Sequence, residues 1–180
     1  DNAPAFCMTF RSLGNLPPRI QDQNFPEDLL RACNPRQGQV LITGPTGSGK
    51  STLCGGIIRS IAESPDAHAK ILTYESPIEF AYDDLEMPTA IISQTSVPDQ
   101  LPSFAEGVRN ALRRKPSHIL IGEGRDQETI KAICEAALTG HTVYSTVHTN
   151  GVPETISRMT NFFSESTRHS EAIDYIGSLQ

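Results

Sequence analysis

The stretch GPTGSGKS, residues Gly44 to Ser51, satisfies G-x-x-x-x-G-K-[ST] at every fixed position. It follows the apolar run QVLIT (39–43) and opens a segment with Leu53, Ile57, Ile58 and Ile61 at helical spacing. A strand, a glycine-rich turn and a helix in that order make a cradle for phosphate. Gly44, Gly47 and Gly49 let successive N–H groups aim at phosphate oxygens, and the helix N-terminus adds positive partial charge. Lys50 supplies a cation for the β- and γ-phosphates, and Ser51 a hydroxyl for Mg²⁺. No N-K-x-D or T-K-x-D stretch is present to read guanine, so ATP is the expected nucleotide.

Hydrolysis also requires a carboxylate in the outer shell of Mg²⁺ and a base that orients the attacking water. HILIGE (118–123) ends its apolar run in Glu123, and TYESPIEF supplies Glu75 and Glu79 with Pro77 between them. Spacing alone leaves Glu79 open between a base and a solvated loop carboxylate. TGHTVYSTVHTN (139–150) adds His141 and His148 at the two ends of a β-branched, aromatic run. An odd separation puts the pair on opposite faces of a strand, about 23 Å apart at roughly 3.3 Å per residue, so one metal cannot take both. In an open parallel sheet ligands bind beyond the carboxyl ends of the strands. That places His148 beside the nucleotide, able to sense the γ-phosphate and report to a helix starting near Val152. His141, at the far end, is left to stabilise or transmit.

Elements that can position these groups follow from the pattern. KILTYE (70–75), AIISQT (90–95), HILIGE and TVYSTV read as strands, with the acidic loop YDDLEMP between the first two. Helices are expected near Pro26–Cys33, after Lys50, from a capping box at Ser103 and Glu106, after the cap Asp126, and from Pro153. Ala172, Ile173, Ile176 and Leu179 mark one more. Gly55 and Gly56 weaken the helix after Lys50 by about 1 kcal/mol each relative to Ala, so packing must hold it. Apolar strands alternating with helices predict an α/β fold, a mainly parallel sheet flanked by helices on both faces.

Composition narrows the class. A 180-residue chain of net charge −6 whose only dense basic run is RRK (113–115) is not expected to bind nucleic acid directly. No apolar run approaches the roughly 20 residues of a membrane span. Cys7, Cys33, Cys54 and Cys134 are scattered without a C-x-x-C and read as reduced packing residues. Residues 1–38, broken by prolines, read as a linker and the tail of a preceding domain, and 39–180 as the ATPase domain. Asp1 in place of Met and an ending inside a helical pattern are expected of a piece of a longer protein.

In this order GPTGSGKST, YESPIEF, LIGEGRD and TGHTVYSTVHT resemble the Walker A, Asp-box, Walker B and His-box motifs of the type II/IV secretion and pilus-retraction ATPases. SFAEGVRNALRRKP and ETIKAICEAALTGH are similar too, so the resemblance covers roughly residues 38–165. STLCGGIIRS and LTYESPIEF look closest to the type IVB secretion and conjugation branch, the DotB- and TraJ-like proteins. The resemblance implies a RecA-like, hexameric ATP-driven motor on the cytoplasmic face of a bacterial inner membrane, working in secretion, conjugation or pilus dynamics. Carried over, Gly44, Pro45, Thr46, Gly47, Ser48, Gly49, Lys50, Ser51 and Thr52 hold the nucleotide, and Ser51 and Glu123 serve Mg²⁺. Glu79 matches the water-activating glutamate, His141 and His148 the His-box pair, and Arg109 and Arg113 arginines near the nucleotide and subunit interface. Arg11 is the one candidate from the family's N-terminal, trans-acting arginines. Ser76 and Gly124 depart from the family, standing where relatives carry Asp and a larger residue. Rival readings are a nucleotide-binding scaffold without turnover and a small-molecule kinase, for which no arginine-rich lid is visible.

Overall fold

The computed structural model describes residues 16–163, 170, 173 and 176–179. After a single 3-10 turn at Ile20–Gln23, the chain runs through α1 (Glu27–Ala32), β1 (Gly38–Thr43), α2 (Lys50–Glu63), β2 (Lys70–Glu75) and β3 (Ile91–Ser96). It continues through α3 (Phe104–Leu112), β4 (His118–Ile121), α4 (Gln127–Leu138), β5 (Thr142–Val147) and α5 (Val152–Asn161). The five strands form one parallel sheet in the order β1-β5-β4-β2-β3. This is the predicted α/β architecture.

The period of two sorts side chains to the two faces. Leu72, Tyr74, Ile119, Ile121, Val143 and Val147 pack with Val108, Ile130 and Ile133 from α3 and α4. Their neighbours Ile71, Leu120 and Tyr144 face the other way, onto Ile57, Ile58 and Ile61 of α2 and onto Ile20. Both faces are therefore dry over β2, β4 and β5, whereas the edge strand β3 is partly exposed. Cys33, Cys54 and Cys134 are buried, reduced thiols inside these layers.

Helix starts follow their caps. Ser103 Oγ accepts the Glu106 N–H at 3.2 Å, and Asp126 Oδ1 accepts the Thr129 N–H at 2.9 Å. The glycine pair in α2 also finds its reason. A Cβ on Gly55 would lie 3.0 Å from both Phe80 and Pro17, and one on Gly56 only 2.8 Å from the Pro18 carbonyl. The glycines let the segment around residues 17–20 lie directly on α2, so packing returns what helix propensity loses.

Two expectations need correction. The β4 strand stops at Ile121 rather than running to Glu123; the Gly122 N–H still donates to Tyr74 O at 2.8 Å, and the chain then leaves the ladder. Leu179 is not part of a last helix. Residues 173, 176 and 177 are helical, but Leu179 pairs parallel with Gln39, whose N–H donates to Ser178 O at 2.6 Å. The outer edge of β1 has backbone groups that need partners, and they capture the chain there. Ala172, Cys7 and Arg11 lie outside the described residues.

Helix α3 approaches β2 through Gly107, where a Cβ would sit 2.6 Å from the Tyr74 ring. Gly107→Ala should lower stability. Overpacking costs about 1–3 kcal/mol, which exceeds the roughly 1 kcal/mol that Ala gains over Gly in a helix. Urea unfolding reads the difference, and an Ala variant as stable as wild type would mean α3 can shift without cost.

Candidate functional site

The strand–loop–helix signature folds as a phosphate cradle. Gly44, Gly47 and Gly49 have φ of 151°, 79° and 88°, the region open to glycine, and Gly49 leads directly into α2. The start of α2 receives no side-chain cap and has no acidic residue in its first turn, unlike α3 and α4. Its leading N–H groups and its dipole therefore keep their affinity for an anion. A Cβ at Gly47 or Gly49 would meet nothing within 4 Å, so the space above the loop is open.

Lys50 is 8% exposed, and its ammonium donates to Gly44 O at 2.9 Å and Pro45 O at 2.8 Å. Its Nζ also stands 3.4 Å from His148 Nδ1. Lys has donors only, so His148 Nδ1 must accept, and the ring proton belongs on Nε2. That nitrogen faces Glu123 Oε1 at 3.9 Å. Lys50, His148 and Glu123 thus form a row across the ends of β1, β5 and β4.

Their common space is a cavity of about 440 Å³. Thr46, Gly47, Gly49, Lys50, Ser51 and Thr52 line it, together with Glu123 and His148. Glu75, Ser76, Pro77 and Glu79 close it from the end of β2. Backbone donors, one ammonium, a hydroxyl at the helix start and flanking carboxylates fit a nucleotide phosphate chain with a divalent cation. Ser51 is the residue that would ligate Mg²⁺, with Glu123 behind it.

Other candidates lie elsewhere. His141 is at the opposite end of β5, its Nδ1 3.1 Å from Ala136 O, and it does not line the cavity. Arg109 is ion-paired with Glu106 at 2.9 Å and Glu128 at 2.7 Å on the outside of α3. Arg113 is the exposed C-cap of the same helix. Neither arginine reaches this cavity from within the chain. A Cβ on Gly124 would lie 2.7 Å from Ile130 Cδ1, the tip of a side chain, so a larger residue there requires that tip to move.

Sequence reasoning did not single out Phe80, Tyr82, Phe104 or Thr146, which also line the cavity. Thr146 alone carried a signal, as a hydroxyl in a buried strand; it donates to Gly122 O at 2.6 Å and holds the turn before Glu123. Glu75, the last residue of β2, is buried at 7% exposure. Desolvation pushes its carboxyl above the ordinary 4.5; hydrogen bonds from Thr73, Gln94 and the Glu79 N–H pull it partly back, and the Glu79 charge pushes it up.

A parallel α/β sheet with a phosphate loop, strand-end carboxylates and a strand-end histidine around one cavity defines a RecA-like P-loop nucleotide-binding domain. The family model described as Type II/IV secretion system protein matches residues 12–180, and the chain belongs to that family. The type IV pilus retraction ATPase PilT of Pseudomonas aeruginosa is 38% identical over 154 residues, 86% of this chain and 43% of that protein. The X-ray structure of the ATPase DotB from Legionella pneumophila is similar with a TM-score of 0.92 at 51% identity, covering 94% of this chain and 46% of that one. A crystal structure of the pilus retraction motor PilT with bound ADP gives 0.86 at 36% identity, covering 94% and 48%. The chain spans about half the length of the curated relatives it matches.

The burial of Glu75 has a pH signature. Its folded value lies above its unfolded one, so the contribution it makes to stability is present below pH 4.5 and is lost as pH rises through the folded value. Glu75→Gln keeps the shape without the charge. The unfolding midpoint of the variant minus that of wild type should therefore increase between about pH 4 and pH 8. A difference that stays flat across thermal scans in that range would show that Glu75 keeps an ordinary pKa.

Proposed function

We propose that the full-length protein is an ATP-hydrolysing motor subunit of a bacterial type IV secretion, conjugation or pilus machine. The observation that carries this reading is the convergence of Lys50, Ser51, Glu79, Glu123 and His148 on one cavity at the carboxyl ends of the strands. In this reading residues 1–38 are the tail of a preceding domain and its linker, and 39–180 the ATPase domain. The family supports a ring of six subunits at the inner-membrane face. Among the described residues no helix is long and apolar enough to cross a membrane.

Glu79 accepts a proton from water, whose oxygen bonds to the γ-phosphorus as the bond to the β-phosphate oxygen breaks. Lys50 exchanges its contacts with the Gly44 and Pro45 carbonyls for phosphate oxygens and neutralises the charge that grows there. Ser51 would hold Mg²⁺ with Glu123 behind it, and the ion would supply Lewis-acid stabilisation of the phosphates. His148 meets the γ-phosphate with its ring, and its backbone leads directly to α5. Arg158 of α5 donates to His148 O at 2.9 Å, and Asn150 N donates to Glu154 Oε2 at 2.9 Å, so a shift of His148 is felt by the helix. His141, Arg109 and Arg113 act, in this reading, across contacts between subunits.

Glu79→Gln should leave ATP affinity intact and lower kcat by roughly 10²–10⁴, the range for loss of a general base. Phosphate release from the full-length protein measures it; equal turnover in variant and wild type removes Glu79 from the mechanism. His148→Ala should lower turnover and narrow the preference for ATP over ADP, read by titration of both nucleotides. An unchanged preference rejects the sensor role.

A further inference from the structure

The loop that carries Glu79 is fastened at both ends by one side chain from the neighbouring edge strand. Gln94 on β3 lies beside Thr73 of β2 in the parallel register. Its Nε2 donates to Glu75 Oε1 at 3.2 Å and to Phe80 O at 2.9 Å, and its Oε1 accepts the Tyr82 N–H at 3.2 Å. Both amide protons and the carbonyl are thus committed to residues that bracket Glu79. Glu75 in turn accepts from Thr73 Oγ1 at 2.7 Å and, through Oε2, from the Glu79 N–H at 3.4 Å.

We propose that Gln94 is a positioning residue for Glu79. It does not line the cavity, so it acts only through the loop and through Glu75. The need for such a clamp is geometric. Glu79 lies outside every strand and helix, four residues past the end of β2 and next to a single bridge residue, Phe80. A general base must be held within hydrogen-bond reach of its water, and misplacement by about 1 Å can cost roughly 10²-fold in rate. The Gln94 amide defines the chord of the loop, from Glu75 to Phe80 and Tyr82. The Glu75 carboxylate then sets the height of the Glu79 amide within it. Gln is suited to this because it donates twice and accepts on the same planar group; Glu in its place could accept from Tyr82 but would face the Glu75 carboxylate with a second negative charge.

The inference rests on the ATP-hydrolysing reading, and the test separates the two. Gln94→Met, of similar volume and without donors, is compared with wild type in the full-length protein, alone and combined with Glu79→Gln. Expected is a kcat lower by roughly 10–10²-fold with KM for ATP unchanged. In the Glu79→Gln background the same substitution should change turnover little, because the carboxylate it positions is already gone. An unchanged kcat, an equal fall in both backgrounds, or a rise in KM that accounts for the loss overturns the proposal. Amide hydrogen exchange at Glu79 and Tyr82 gives a readout independent of turnover: it should accelerate in Gln94→Met, with α4 unaffected. Unchanged exchange overturns the clamp. Accelerated exchange in a protein whose wild type releases no phosphate supports the clamp while removing the ATP-hydrolysing reading.

Discussion

Five strands that all run the same way must all end at the same edge of the sheet. That constraint organises the molecule. The phosphate loop leaves β1, the Asp-box carboxylates leave β2, Glu123 follows β4 and His148 follows β5, so residues far apart in sequence share one crevice. Parallel pairing needs a crossover after each strand, and α2, α3 and α4 serve as crossovers while covering both faces. The opposite edge receives His141 and the strand beginnings. It is structurally a different surface, which is why two histidines from one motif have unrelated surroundings.

Electrostatics then follow from what can be paired at that edge. Lys50 is nearly buried yet keeps all its polar contacts to carbonyl oxygens and a ring nitrogen, which hold it without neutralising it. An ion pair there would compete with phosphate for the same ammonium. Glu123 instead stands behind His148, which separates the acid from the lysine. Elsewhere the charges do pair: Arg109 with Glu106 and Glu128, and Arg19 with Glu63. These contacts lie at the surface, where solvent screens them.

Much of this was legible in the residues. The central strands β2, β4 and β5 could be read because both of their faces are dry, which leaves apolar runs bounded by loops. The phosphate loop could be read because its glycines are required by backbone geometry rather than by neighbours. What could not be read depends on elements distant in sequence. Glu79 remained ambiguous by spacing because the shape of its loop is set from β3 by Gln94, an amide in a strand that looks unremarkable locally. The fate of Arg109 was decided by Glu128, which lies on another helix. Leu179 kept a helical spacing, yet the edge of β1 offered it backbone partners instead. The residues Phe80, Tyr82 and Phe104 entered the cavity through tertiary packing, for which one chain of letters has no local sign.

The glycine pair of α2 ties the phosphate-binding helix to segments outside it. A helix is costly to nucleate, and two adjacent glycines near its middle make it a poor structure by itself. Its neighbours are Pro17 and Pro18, which precede β1 in the chain, and Phe80, which follows the Asp-box carboxylates. The helix that presents its N-terminus to phosphate therefore depends on the chain on either side resting against it. Packing of these two segments supports the helix where its own side chains cannot. The phosphate loop and the seating of Pro17, Pro18 and Phe80 against α2 thus belong to one packed unit of structure.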